Sequence, residues 1–235
     1  MPLRSDGVAR DRRAMATWQF ARDEFEKAFQ PLRSAGFELE RLPGRDAYWA
    51  LHDAELVAHF PQEVFFALSR LRSEHEKAGQ ARLGEARGGD ALFDFSVVRQ
   101  AGRVTAMFCG EQRSESVYRM WHTHVHPDYR RLGLYRLIVG STIAYTAGLG
   151  FDAITSEHAP CNNPIIIAKL RAGFRVYGLE LDPVVGPALI LRYFHNPEHL
   201  AAYELRCGMA TLTPGLAENG IGAWPLFREQ VLGSR

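Results

Sequence analysis

Between Tyr118 and Leu149 the sequence changes its period across one short turn. Tyr118–His126 reads as a strand in which His122, His124 and His126 fall on alternate positions. From Gly133 to about Gly148 the apolar stripe Leu134, Ile138, Tyr145 and Leu149 recurs at helical spacing. Only the basic turn Pro127-Asp128-Tyr129-Arg130-Arg131-Leu132 stands between them. A strand that ends at a proline and feeds a helix in this way places the chain among α/β proteins.

The flanking segments extend that pattern. Upstream, Ala14–Leu32 repeats Trp18, Ala21, Phe25 and Phe29 as a core-facing helix does. Phe37–Leu42 alternates as an exposed strand, and Asp46–Leu56 is helical again. Pro61 is expected to open a second helix through Val64, Leu68 and Leu71 to about Lys77. Gln80–Asp90, polar and with three glycines, reads as a loop. Leu92–Arg99 and Arg103–Gly110 are strands joined by the tight connection Gln100-Ala101-Gly102. Downstream come a strand at Ala153–Ser156 and a helix opened by Asn163-Pro164, with Asn163 as its cap, and closed by Gly173. Strands at Phe174–Leu181 and Ala188–Phe194 follow, then a helix from Pro197 to about Cys207. This order predicts a mixed, mostly antiparallel central sheet flanked by helices. Residues 1–35 are expected to form a helical extension, 36–195 one α/β domain, and 196–235 a helix and tail packed on that domain.

Charge narrows the partners. With 28 basic and 27 acidic residues the formal net charge is +1, which excludes a generally basic nucleic-acid binder. Three widely spaced cysteines with no CxxC pair argue against a disulfide framework and for a reducing compartment. The arginine-rich start has no apolar run of a secretory signal, and the longest uncharged stretch, Leu137–Phe151, falls short of the ~18–20 residues that span a bilayer. The expectation is a cytoplasmic protein that binds neither nucleic acid nor membrane; a homodimer is left open.

The turn itself carries chemistry. At a helix start about four backbone N–H groups lack intrahelical acceptors, and the positive end of the helix dipole stands behind them. Gly133 permits close backbone approach, and Arg130 and Arg131 add charge, so the turn suits a pyrophosphate.

Val125-x-Pro127 followed by Arg130-x-x-Gly133-x-Tyr135 resembles the acetyl-CoA-binding motif of the GNAT (Gcn5-related N-acetyltransferase) superfamily, with Tyr135 where a small residue is usual. Downstream, Asn162-x-x-Ile165-Ile166-x-x-Lys169-x-x-x-Gly173-Phe174 is similar to that superfamily's later helix, with Lys169 where a tyrosine is common. The resemblance covers about residues 90–195 and implies a GNAT-like sheet with splayed central strands. It implies acetyl-CoA as co-substrate, longer acyl-CoAs being open. The pantetheine arm is expected on the backbone near Thr123 and Val125, and the pyrophosphate on the N–H groups of Arg131, Leu132, Gly133, Leu134 and Tyr135, beside Arg130. Asn162 is expected to contact the cofactor. Lys169 is expected either to bind a cofactor phosphate or to donate the proton that the superfamily's tyrosine supplies, with Tyr177, Tyr135 or water as substitutes.

The reaction so implied is direct transfer of acetyl to a primary amine, a small amino compound being favoured as acceptor. A base is then needed, and an imidazole near its usual pKa of ~6.5 suits the task. His122 and His124 are the first candidates, on a sheet face expected to open toward the acceptor; Glu157 and His158, at the end of the next strand, come second. His122-x-His124 also suits a metal, which gives a competing reading as a metal-dependent hydrolase using Glu157 or His158. The expectation adopted is that no metal is bound. A third reading is a GNAT-like domain that binds acyl-CoA without turnover.

Overall fold

The hairpin at Gln100-Ala101-Gly102 forms with Ala101 at φ 50° and Gly102 at φ 77°, two successive left-handed residues that match the twist of the strands they join. The structure is a computed structural model describing residues 19–60, 71–86, 91–183, 186–221, 225 and 229. The hairpin links β2 (Phe93–Gln100) to β3 (Arg103–Gln112). With β1 (Glu38–Arg41), β4 (Val117–Val125), β5 (Ala153–His158), β6 (Arg175–Asp182) and β7 (Gly186–Phe194) they form a seven-stranded sheet in the order β1-β2-β3-β4-β5-β7-β6. The pairs β1–β2, β2–β3, β3–β4 and β6–β7 are antiparallel, and β4–β5 is parallel. The expected mixed, mostly antiparallel sheet is therefore what the chain builds.

Both faces of the sheet are covered because β2 and β3 carry apolar residues on both sides. On one face lie α1 (residues 19–28), α2 (Gln30–Ser34) and α5 (Leu134–Gly148). Phe25, Phe29 and Leu32 pack there with Val98, Phe108, Ile138 and Tyr145, and the Phe25 and Phe29 rings stack at 4.3 Å. On the other face α3 (Arg45–Glu55) sets Tyr48 beside Phe95, Val97, Met107 and Cys109. Buried polar groups are joined in a network: Asp94 accepts from Arg41 at 2.7 Å, from Tyr118 at 3.0 Å and from Tyr145 at 3.3 Å. Such a carboxylate is tolerable inside a core because it is paired and hydrogen-bonded.

Two expectations need correction. Residues 80–86 are not loop; they continue α4 (Glu74–Ala86). The reason is a capping box: Glu76 N–H donates to Ser73 Oγ at 3.3 Å while the Glu76 carboxylate accepts from Ser73 N–H at 2.7 Å. The helix expected from Pro61 falls mostly outside the described residues. The second correction concerns α6 (Asn163–Arg171), whose N-cap is Asn162, not Asn163, and makes no side-chain capping bond.

Residues 194–235 form a second compact unit. In it α7 (Pro197–Arg206) is capped by Asn196, which accepts from Glu198 N–H at 2.8 Å, and α8 (Pro214–Asn219) is capped by Thr213. Among the described residues no helix is long and apolar enough to cross a membrane. The three cysteines are free, Cys109 buried and Cys161 and Cys207 exposed.

Candidate active site

Strands β4 and β5 pair over three positions only, Val117 with Ala153, Tyr118 with Ile154 and Arg119 with Thr155, and then part. The cause lies on the other edge of β4. Gly110 of β3 pairs with Met120 and Cys109 with His122, so Trp121 is an extra residue in β4. An inserted residue bends its strand and increases its twist, which carries β4 away from β5. At the fork, Arg119 donates to Glu111 at 3.1 Å and to Glu157, which Arg113 also approaches at 3.7 Å. Glu157 was expected as a second-rank base; its two carboxylate oxygens are instead taken up by two guanidinium groups.

The basic turn closes the far end of the gap. Arg130 folds back so that its Nε donates to the carbonyl of Val125 at 3.2 Å, and its guanidinium lies 5.1 Å from the Phe60 ring centroid. Arg131 sits at φ 63° and Gly133 at φ 84°, so the chain turns through two left-handed residues before α5 starts. A Cβ on Gly133 would meet nothing within 4 Å, so within the fold the glycine answers to its positive φ rather than to a close contact. As N-cap it offers no side chain, so the first N–H groups of α5 stay available. Leu134 points into the core, and Leu132 is exposed. Tyr135 packs against the core, where burial raises its hydroxyl pKa. It therefore leaves the turn clear despite its size. Asn162 is exposed at the start of α6.

Lys169, expected as a phosphate ligand or a proton donor, is turned into the core rather than toward solvent. The residue is 1% exposed, and its Nζ donates to the Met120 sulfur of β4 at 2.7 Å and lies 4.2 Å from the Phe174 ring centroid. Burial pushes its pKa down to about 7. Close by in the electrostatic sense is His158, driven down to about 3 by burial and then by the Lys169 charge, with its Nε2 3.0 Å from Ser156 Oγ. Tyr177, the other substitute donor, is 43% exposed and lies under the Arg192 guanidinium.

The histidines share a face, as their alternation requires, but that face is not open. Helix α3 covers it. The Tyr48 hydroxyl is 2.6 Å from His122 Nδ1, and His52 Nε2 is 2.8 Å from His124 Nδ1. Phe60 stacks on His124 at 3.7 Å, and Trp49 stands edge-on to His52. His122 is held down to about 2, by burial first and then by His124 and His52. Burial and the neighbouring imidazoles disfavour the protonated ring, and α3 stands where an open acceptor face was expected for His122 and His124. Tyr48 and His52 were not singled out in the sequence. Their signal was an i, i+4 pair on one side of the 46–56 helix.

No family profile matches the sequence, and no curated protein sequence does either. Solved structures share its shape in part. The nourseothricin acetyltransferase structure is similar at 20% identity and a TM-score of 0.41, over 44% of this chain and 66% of that one. The ribosomal-protein-S18-alanine N-acetyltransferase from Escherichia coli is similar at 17% identity and a TM-score of 0.45, over 77% of this chain and 98% of that one. The yncA protein from Salmonella typhimurium, solved with its cofactor acetyl-CoA, is similar at 12% identity and a TM-score of 0.47, over 69% and 95% of the two chains. The chain itself is a seven-stranded mixed sheet in which a parallel β4–β5 pair parts and a glycine-led helix follows β4.

Proposed function

We propose that the chain is an acyltransferase that moves acetyl from acetyl-CoA to the primary amine of a small amino compound. The observation that carries this is the gap between β4 and β5, with the uncapped start of α5 at its end and Lys169 buried against Met120. The edge of β4 near Thr123 and Val125, past the last pair with β5, takes the pantetheine amides. The N–H groups from Arg131 to Tyr135, with the Arg131 side chain and the helix dipole behind them, take the pyrophosphate. Asn162 flanks the channel. The amine nitrogen attacks the thioester carbonyl carbon, the carbon–sulfur bond breaks, and the sulfur leaves as thiolate. Lys169, with a pKa of about 7, passes its proton to that thiolate and is recharged from the proton the amine releases. The products are an N-acetylated amine and free CoA.

Calorimetry with acetyl-CoA tests the binding half. The unmutated protein is expected to bind, and Gly133→Val, checked for an unchanged circular-dichroism spectrum, is expected to lose binding because a branched side chain blocks phosphate approach. Arg131→Ala supplies a second probe if the glycine variant fails to fold. Absence of acetyl-CoA binding to the unmutated protein overturns the reading; binding without amine-dependent release of CoA thiol reduces it to a non-catalytic binder.

A further inference from the structure

Three imidazoles from two elements meet on the α3 face of the sheet. His52 comes from α3, and His122 and His124 come from β4, 70 and 72 residues further along. One ring nitrogen from each lies within 4.8 Å of the other two. For a tetrahedral zinc with Zn–N near ~2.0–2.1 Å the ligand nitrogens stand ~3.3 Å apart, so small side-chain adjustments convert this cluster into a coordination set.

The hydrogen bonds around the cluster prepare two of the rings as ligands. Asp53 stands 3.2 Å from His52 Nδ1, and a carboxylate there holds the proton on Nδ1 and turns the lone pair of Nε2 inward. The Tyr48 hydroxyl, 2.6 Å from His122 Nδ1, can accept that nitrogen's proton in the same way. His122 Nε2 is then a lone pair, and among the described residues this buried atom has no hydrogen-bond partner. A buried acceptor left over in this way calls for an explanation, and an ion shared with its two neighbours supplies one. Trp49, Phe60 and Trp121 form a partly buried aromatic wall beside the rings, which lowers the local dielectric, and a water would complete the tetrahedron as fourth ligand.

We propose that His52, His122 and His124 form a site for a borderline divalent transition metal ion, zinc in the first instance, that ties α3 to β4. All-imidazole donors select zinc, cobalt, nickel or copper over magnesium and calcium. The site is built on the α3 face of the sheet, shares Phe60 with Arg130 of the turn, and does not depend on the acetyl-transfer reading.

The test uses the purified full chain stripped with chelator. Titration with zinc followed by calorimetry should show uptake of about one equivalent and a raised Tm, and cobalt(II) should give the visible d–d bands of a tetrahedral site. His122→Ala should abolish uptake. Asp53→Asn changes an exposed carboxylate, leaves the three ligands in place, and should weaken zinc affinity ~10–100-fold. Acetyl-CoA binding by the stripped protein is measured in parallel, so failure of the metal site and failure of the cofactor site are separately visible. Absence of stoichiometric zinc uptake by the unmutated chain, or uptake undiminished in His122→Ala, overturns the proposal.

Discussion

The Lys169 ammonium nitrogen lies 2.7 Å from the Met120 sulfur and 4.2 Å from the Phe174 ring centroid, in a residue that is 1% exposed. No carboxylate is among these contacts, and burial alone drives the group down to about 7. In the unfolded chain the same amine keeps its usual pKa of ~10.4. Between pH 7 and 10 the unfolded state therefore holds more protons than the folded one, and stability rises with pH across that window. Below pH 7 the whole penalty is present, of the order of ~4–5 kcal/mol at 1.36 kcal/mol per pKa unit. Lys169→Met, which keeps length and apolar volume, should raise stability at pH 7 and flatten the rise toward pH 10. Urea denaturation at a series of pH values decides this; equal slopes for both proteins would show that Lys169 is solvated.

The same substitution should separate stability from turnover. If Lys169 protonates the leaving thiolate, Lys169→Met should lower kcat/KM by ~10²–10⁴, the usual range for a lost general acid. The affinity for acetyl-CoA should hold, because Lys169 is buried against Met120 and Phe174 and presents no charge at the surface. On the proposed function, kcat of the unmutated protein should fall as pH climbs past about 7, since only the protonated amine donates. A Lys169→Met enzyme that turns over at the unmutated rate removes Lys169 from the chemistry.

Gly110 lies under the Tyr118 ring so closely that any Cβ would overlap the ring and its hydroxyl. That ring is 3% exposed and donates to Asp94 at 3.0 Å, so it has little room to yield. Gly110→Ala should destabilise by ~1–3 kcal/mol through overpacking. The pairing of Gly110 with Met120, at the bulge that parts β4 from β5, means that acetyl-CoA affinity should fall as well. Thermal unfolding and calorimetry on the one variant read both effects, and a Tm equal to that of the unmutated protein would contradict the placement of Tyr118.

The order of elements was legible because periodicity is local: the strand at 117–125, the turn and α5 all follow from spacing within about thirty residues. The Arg130-x-x-Gly133 turn was legible for the same reason. The surroundings of the histidines were not. His122 and His124 were seen on one face, but what covers that face is α3, brought there by the fold, and no local pattern announces Tyr48 or His52 as its partners. For Lys169 the sequence leaves two roles open, phosphate ligand or proton donor, and its burial against Met120 is set by the fold. Its spacing from Ile165 and Ile166 places it on the inner side of α6, and that signal was present. Polarity and three glycines make 80–90 read as loop, but the Ser73-x-x-Glu76 box starts a helix upstream, and Gly84 within it costs only ~1 kcal/mol.

Arg131 supplies the last prediction, because it serves two ends that a glycine would divide. It is a non-glycine residue held at φ 63°, exposed, one residue before Leu132 and two before Gly133. The left-handed conformation costs an ordinary L-residue ~1–2 kcal/mol, and a glycine there escapes that cost. Glycine also loses more backbone entropy on folding, ~0.5–1 kcal/mol, so Arg131→Gly should leave the ligand-free protein as stable as before or slightly more so. Its affinity for acetyl-CoA should nonetheless fall, by ~10–100-fold, if the guanidinium makes a charge-assisted bond worth ~1.5–3 kcal/mol to a phosphate. Loss of one phosphate contact should also make binding less sensitive to salt. Calorimetry at two ionic strengths, with urea denaturation as the control, measures all three quantities. If Arg131→Gly binds acetyl-CoA with undiminished affinity, the pyrophosphate does not lie on this turn, and the strained residue would have no part in cofactor recognition.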